Sequence, residues 1–376
     1  MKNTVLCALA LLIALCVLPN AYAECMLQDA VWNHNISKVK MLIALGADVN
    51  CKNDVGSPIL FEATSQGYLE IVDLLIKKGA DVNMKGLNDS TALHCARNKG
   101  VAEILLAHGA KVDAKDNKGQ TPLFLVARSG FSKDDDQAME DLAEVLIKHG
   151  ANVNDGPPLA AAAFFNKLNM VKYLVAKGAN PKKPEILNAA VGNGDYVEMA
   201  KLLVGYGADV NAPANGEDPL HTAAFKGNAK CVDFLLSKGA RVNALDGQGY
   251  TALYKTASND HAAVVAEILL DHGADPNARN PAGRTALHQA AGYGATKIVK
   301  LLLAHNANAN AVDDYGNTPL IENIRYGLDA SVLDIVELLV KNGANVNATS
   351  SETPLSIAAR MRSAIVVKFL REHGAH

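Results

Sequence analysis

The sequence predicts an all-α repeat fold: helix-turn-helix pairs joined by β-hairpin fingers and stacked in about eleven units, caps included. Three observations predict it. First, a Gly-Ala helix stop recurs at Gly46, Gly79, Gly109, Gly150, Gly178, Gly207, Gly239, Gly273, Gly343 and Gly374, with Asn306 in the glycine's place once. The mean step is about 33 residues, the period of a repeat array. Second, openings such as Thr91-Ala92-Leu93-His94 and Thr285-Ala286-Leu287-His288 follow the stops, with Asp218-Pro219-Leu220-His221 as a variant. Thr and Asp cap a helix by accepting an orphan backbone N–H, and Pro is tolerated at the first helical position. Third, each second helix carries its aliphatic residues on one face, as in Leu69-Glu70-Ile71-Val72-Asp73-Leu74-Leu75, the spacing of an amphipathic helix.

Stop, opening and period together resemble the ankyrin repeat over nearly all of the chain beyond residue 23. The resemblance implies a single domain over 24–376 in which each unit touches only its neighbours. It also implies that His94, His221 and His288 hydrogen-bond within and between units, and that the array binds other proteins.

Residues 1–23 read as an export signal. Lys2 supplies the positive start, Val5 to Leu18 the apolar run, and Ala21-Tyr22-Ala23 the small-x-small site, with cleavage between Ala23 and Glu24. A run of about 14 residues is shorter than the roughly 20 that a spanning helix needs. The expected compartment is the periplasm if the source is a Gram-negative bacterium, and the extracellular space otherwise.

The first unit, about 25–50, lacks the Thr-x-Leu-His opening and reads as an N-terminal cap, with Trp32 expected to cover the open core edge. Cys25 begins its first helix and Cys51 follows its second, both at the finger end. A Cys25–Cys51 disulfide is expected, two free thiols being the alternative. Cys231, several units away, takes an aliphatic core position. The third unit is shortened at Lys99-Gly100-Val101. The fourth is the longest, its surplus over 129–139 carrying Asp134-Asp135-Asp136 and expected to be a solvated acidic loop between helices. Gly156-Pro157-Pro158 and Pro181-Lys182-Lys183-Pro184 leave little room for fingers in the fifth and sixth units. The tenth gains residues around Gly327-Leu328-Asp329-Ala330. The last, about 348–376, ends on Arg360, Arg362, Lys368, Arg371 and Glu372, the polar outer face of a C-terminal cap.

A formal charge of −3 argues against nucleic acid, which needs a basic footprint. Nucleophile-elbow, zincin and phosphate-loop signatures are missing, so neither an enzyme nor a cofactor is expected. A second histidine column, His108, His149, His272, His305 and His373, sits at helix ends, where a cation interacts favourably with the dipole. Zinc needs its nitrogens at about 2.0–2.1 Å, far closer than repeat spacing allows, so no metal site is expected. Asn35, Asn88 and Asn347 match the glycosylation acceptor, a match that Asn-rich turns produce by chance.

Partners of ankyrin arrays usually bind the concave side, built from finger tips and outer ends of first helices. Carried over position by position, that register holds Phe164, Phe165, Phe225, Lys226, Tyr250, Arg284, Tyr293, Tyr315, Arg325, Tyr326 and Arg360. Tyr and Arg dominate binding hot spots. The expected function is a monomeric, non-enzymatic scaffold that binds another protein and, once the signal is removed, no membrane. Similar exported bacterial arrays suggest that it neutralises or supports its partner. The alternatives are a secreted effector acting on host or target-cell proteins, and an enzyme built on the 129–139 insertion.

Overall fold

The computed structural model describes residues 20–129, 133–258, 260–327 and 331–376, with side chains from Met26 onward except at 133–135 and 331. It contains 22 α-helices and no strand among the described residues, and the chain divides into two compact units, the second beginning at Pro181.

In the first unit the helix pairs are α1 (Asn20–Trp32) with α2 (Ile36–Ala44), α3 (Ile59–Ser65) with α4 (Leu69–Lys77), and α5 (Ala92–Cys95) with α6 (Lys99–Ala107). They continue with α7 (Pro122–Arg128) and α8 (Lys133–Lys148), then α9 (Pro158–Phe164) and α10 (Leu168–Ala176). First helices stack on first helices and second on second, giving two layers. The second unit repeats the plan in six pairs: α11 (Pro184–Gly192) and α12 (Val197–Gly205), α13 (Pro219–Lys226) and α14 (Ala229–Ser237), α15 (Ala252–Thr256) and α16 (Ala263–Asp271). Its last three are α17 (Ala286–Gly292) and α18 (Thr296–Ala304), α19 (Pro319–Tyr326) and α20 (Ser331–Lys341), and α21 (Pro354–Arg360) and α22 (Ala364–Glu372).

Burial follows the sequence pattern. The leucine of the opening motif is a core residue in pair after pair: Leu60, Leu93, Leu123, Leu220, Leu253, Leu287 and Leu320 are each at most 2% exposed. From the second helices come Ile71, Val72 and Leu75, or Ile298, Val299 and Leu302, all fully buried. One pair alone could not hide both layers, so stability comes from stacking.

Each second helix ends as the Gly-Ala stop demands. At Gly273 the backbone turns left-handed, Gly273 N–H donates to Leu270 O at 3.0 Å and Ala274 N–H to Leu269 O at 2.9 Å, which satisfies carbonyls the helix leaves open. Asn306 holds the same position at φ 64°; asparagine is one of the few side chains that tolerates this region.

A ladder of asparagines then clamps neighbouring pairs. Asn243 Nδ2 donates to Gly273 O at 3.1 Å while its Oδ1 accepts from Asp275 N at 2.8 Å. Asn50, Asn83, Asn154, Asn211, Asn277, Asn310 and Asn347 repeat this two-way bond. Asp113 takes the position in the first unit and, having no amide to donate, only accepts from Asn152 N.

Several expectations need correction. The fingers are tight turns rather than β-hairpins, with only isolated bridges at Lys52–Pro58 and Ala214–Glu217 among the described residues. Their amides are satisfied by side chains: Asp246 Oδ1 accepts from Gln248 N and Tyr250 N, each at 2.9 Å, and Asp313 Oδ1 from Tyr315 N and Asn317 N. The fourth-unit surplus is not a loop, because from Lys133 it continues α8, which runs 16 residues. The cause lies in its far end, where Leu142, Ala143 and Leu146 bury a continuous apolar stripe and the acidic start extends it. Asp136 is not simply solvated but pairs with Lys167 at 2.9 Å. Residues 130–132, and the side chains of Asp134 and Asp135, lie outside the described residues. Trp32, finally, is 62% exposed, and Leu27, Ala30 and Val31 fill the cap instead.

Between α10 and α11 only residues 177–183 intervene, against 238–251 between α14 and α15; 149–157 are similarly short. Residues 1–19 lie outside the described residues, as does the side chain of Cys25, and with it the expected disulfide; Cys51 is buried. The backbone at Ala23 and Glu24 is helical, within α1. Residues 328–330 of the tenth unit are likewise outside the described residues. No described helix is long and apolar enough to cross a membrane.

Candidate functional site

On the second unit, the turns before α15, α17 and α19 and the outer ends of α13 and α15 surround a concavity of about 440 Å³. Phe225, Tyr250, Tyr254 and Tyr315 give it four aromatic rings, and Lys255, Arg284 and Gln289 supply polar groups. Phe225 is 60% exposed and Tyr315 75%, so both present broad apolar area to solvent. Tyr250 and Tyr254 pack with ring centroids 4.9 Å apart, Lys255 Nζ lies 5.4 Å from the Tyr250 ring centre, and Lys226 Nζ is equally far from that of Phe225.

Carboxylates, the buried Asp246 and Glu322 among them, hold the cations beside these rings. Lys255 bonds Asp246 at 2.8 Å and Glu217 at 2.9 Å. Burial opposes the ammonium charge, but the two carboxylates outweigh it and raise the Lys255 pKa. Asp246 has its pKa lowered despite burial, through Lys255 and the amides of Tyr250 and Gln248. One carboxylate therefore both closes the finger that carries Tyr250 and anchors the lysine stacked on that tyrosine. Arg284 bonds Glu322, a residue only 3% exposed. Burial raises the Glu322 pKa, and the guanidinium works against that rise. Charges fixed in this way cannot swing, so the rings beside them are pre-organised.

The structure thus brings Phe225, Tyr250, Arg284 and Tyr315 into one hollow, with Lys226 at its edge. Tyr293 and Tyr326 are 66% and 54% exposed on the same unit but outside that lining. Arg325 donates to Asn317 Oδ1 at 3.0 Å, and Arg360 grips Glu352 with two bonds. Phe164 and Phe165 belong to the first unit, where they pack edge to face with centroids 5.1 Å apart and Arg128 sits over Phe165. The sequence reading missed Tyr254, Lys255 and Gln289. Tyr254 had a signal: it occupies the histidine position of Thr251-Ala252-Leu253-Tyr254. Its hydroxyl donates to Gln289 Oε1 at 2.9 Å, and burial pushes its pKa up to about 12.

The motif histidines join adjacent pairs. His288 Nδ1 accepts from Thr285 N at 3.1 Å and its Nε2 donates to Asn317 O at 3.1 Å, the pattern of a neutral ring. Burial lowers its pKa to about 4. His94 repeats the arrangement with Thr91 and Gln120, and its pKa is also lowered by burial. His221 differs. Its Nδ1 meets Asp218 Oδ1 at 2.7 Å and its Nε2 meets the Tyr250 carbonyl at 3.0 Å, so both nitrogens face acceptors. Burial disfavours the charge, but Asp218, the Tyr250 carbonyl and Asp246 together raise the pKa.

In the second histidine column, His108, His272 and His373 each place Nδ1 within 2.8–2.9 Å of the carbonyl four residues back, so they cap helix ends by hydrogen bonding. Cys231 is fully buried, and burial first, then Asp195, pushes its thiol up to about 12. All three acceptor asparagines have structural work: Asn35 caps α2, Asn88 faces Asn117 and Asn347 belongs to the ladder.

The family model for ankyrin repeats in sets of three matches residues 27–116, 97–185, 186–280 and 257–350. Among individual proteins, the chain is 29% identical over 251 residues to the Ankyrin repeat and KH domain-containing protein mask-1 of Caenorhabditis elegans, covering 63% of this chain and 9% of that one. Rabankyrin-5 of Homo sapiens is 27% identical over 252 residues, 62% of this chain and 19% of its own. Alpha-latrocrustotoxin-Lt1a of Latrodectus tredecimguttatus is 32% identical over 155 residues, 36% of this chain and 11% of its own. The chain therefore spans well under a third of each of these relatives.

Proposed function

Because the chain belongs to the ankyrin-repeat family, we propose that it is an exported, non-enzymatic scaffold that captures another protein on the finger face of its second unit. Ankyrin repeats generally mediate protein–protein interaction, and proteins built from them are typically not enzymes. What carries the finer reading is the second unit's exposed Phe225, Tyr293, Tyr315 and Tyr326, of which Phe225 and Tyr315 share a hollow with Lys255 and Arg284, cations paired with buried Asp246 and Glu322. Aromatic rings on a rigid base bury large area on docking and lose little conformational entropy, which favours affinity. Export is supported by Lys2, the run from Val5 to Leu18, and Ala21-Tyr22-Ala23.

Two measurements test the proposal. In fractionated producing cells, mass spectrometry of the chain's N-terminus should find Glu24 first and place the protein outside the cytoplasm; an intact leader in the cytosol would refute export. For capture, the native chain is used as bait in its own compartment beside a variant with Phe225, Tyr293, Tyr315 and Tyr326 all changed to Ala. These side chains are exposed, so the variant should melt with the native chain and yet lose the captured protein. Undiminished capture by the variant would remove the second-unit surface from the reading.

A further inference from the structure

The third repeat has the shortest first helix among the described residues, ahead of the five-residue α15. α5 spans four residues, where α3, α7 and α17 each span seven. It stops because Ala96 turns extended, with φ −61° and ψ 130°, and because Asn98 already caps α6 by accepting from Val101 N at 2.9 Å. The absent turn leaves a hollow in the first unit of about 630 Å³, inside the range of roughly 300–1,000 Å³ typical of small-molecule sites. Leu125, Val126, Met139 and Phe165 give it apolar walls, and Arg97 and Arg128 line it with their charges.

Neither guanidinium has a carboxylate partner among the described residues. Arg128 instead lies over the Phe165 ring, 5.5 Å from its centre. Among the described acids nearby, Asp136 pairs with Lys167 at 2.9 Å and Asp141 with Lys99 at 2.9 Å, and Glu62 accepts from Gln66 at 3.0 Å. A helical turn in the usual place would fill the space and cover both arginines. Its loss opens an apolar hollow lined by two guanidinium groups with no carboxylate partner among the described residues, the donor type that suits a carboxylate.

We propose that this hollow binds a small amphipathic carboxylate, its alkyl or aryl body against Met139, Leu125 and Phe165 and its head group accepting from Arg97 and Arg128. The site is independent of the protein-binding surface on the second unit. Cys95 shares the lining, and a bound ligand should shield its thiol.

The test is a fluorescence titration of the full chain with 11-(dansylamino)undecanoic acid. The expected result is saturable binding of one probe per chain, displaced by undecanoate but not by methyl undecanoate, with slower alkylation of Cys95 in the complex. Arg97→Gln with Arg128→Gln should weaken binding roughly tenfold or more, and the paired Lys replacements, which return the charge but not the planar fork, should restore only part of it. Ala138→Trp, at the mouth, should block entry. Circular dichroism of each variant should match the native chain, which the exposure of Arg97, Arg128 and Ala138 leads one to expect. The quadruple aromatic variant of the second unit should bind the probe normally. Absence of saturable binding, equal displacement by the methyl ester, or full affinity in the Gln pair would each overturn the proposal.

Discussion

The two units are made from the same helix pair, yet they use their outer registers differently. In the first, the edges are irregular: α5 loses a turn, α8 gains two, and the stretch before α9 is clipped. Most of its ion pairs are surface ones, such as Lys40–Glu70 and Lys99–Asp141, with Lys167–Asp136 partly buried. In the second, α15 is also short, at five residues, but two of the ion pairs run inward, to Asp246 and Glu322, both almost wholly buried. A repeat array can therefore vary its face in two ways: by cutting and extending helices, which makes hollows, or by locking side chains on buried carboxylates, which makes a rigid contact surface.

The largest expected effect tests the locked charges. Lys255→Ala leaves Asp246 buried without its cation and should cost about 3–5 kcal/mol, measured by urea unfolding. Lys99→Ala, its exposed counterpart in the first unit, should leave the midpoint unmoved. Equal small effects from both would erase the contrast between the units.

A middle-sized effect concerns pH. His221 has a raised pKa in the folded chain, so it binds its proton more tightly folded than unfolded. The stability it adds is complete below its ordinary value of 6.5 and is lost as pH rises through the higher folded value. His288, lowered to about 4, acts the other way: its share is complete above 6.5 and declines as pH falls toward 4. Asp218→Thr should convert the first behaviour into the second, read as the unfolding midpoint followed across both windows. An unchanged profile would show that the carboxylate cap does not set the His221 charge.

The smallest effect repairs the first unit. Asp113→Asn gives the ladder the donor it lacks there and should stabilise by about 0.5–1 kcal/mol, seen as a small rise in melting temperature. The same exchange reversed in the second unit, Asn243→Asp, should destabilise by a similar amount.

Much of this was legible in advance because it depends on local chemistry. Gly273 and Asn306 stop helices by their own conformational preference, Thr285 caps by its own hydroxyl, and Leu287 is buried by its place in the period. Phe225, Tyr250, Arg284 and Tyr315 could be nominated together because repeat register turns sequence distance into spatial order. Tyr254 and Lys255 were less visible. Their roles depend on Gln289, Glu217 and Asp246, partners 35, 38 and 9 positions away, and on burial that no single segment fixes. The 129–139 surplus was misread because composition marks Asp134-Asp135-Asp136 as loop-like, whereas packing of Leu142 and Leu146 continues the helix back to Lys133.

By itself, the sequence determined where second helices stop, where first helices with a Thr or Asp cap open, and which faces are hidden, since caps, stops and periodicity act within a few residues. Only the tertiary structure decided which cations are locked and which stand free, and where a missing turn becomes a hollow. Those outcomes depend on groups brought together from neighbouring repeats, whose burial and partners are set only when the pairs stack.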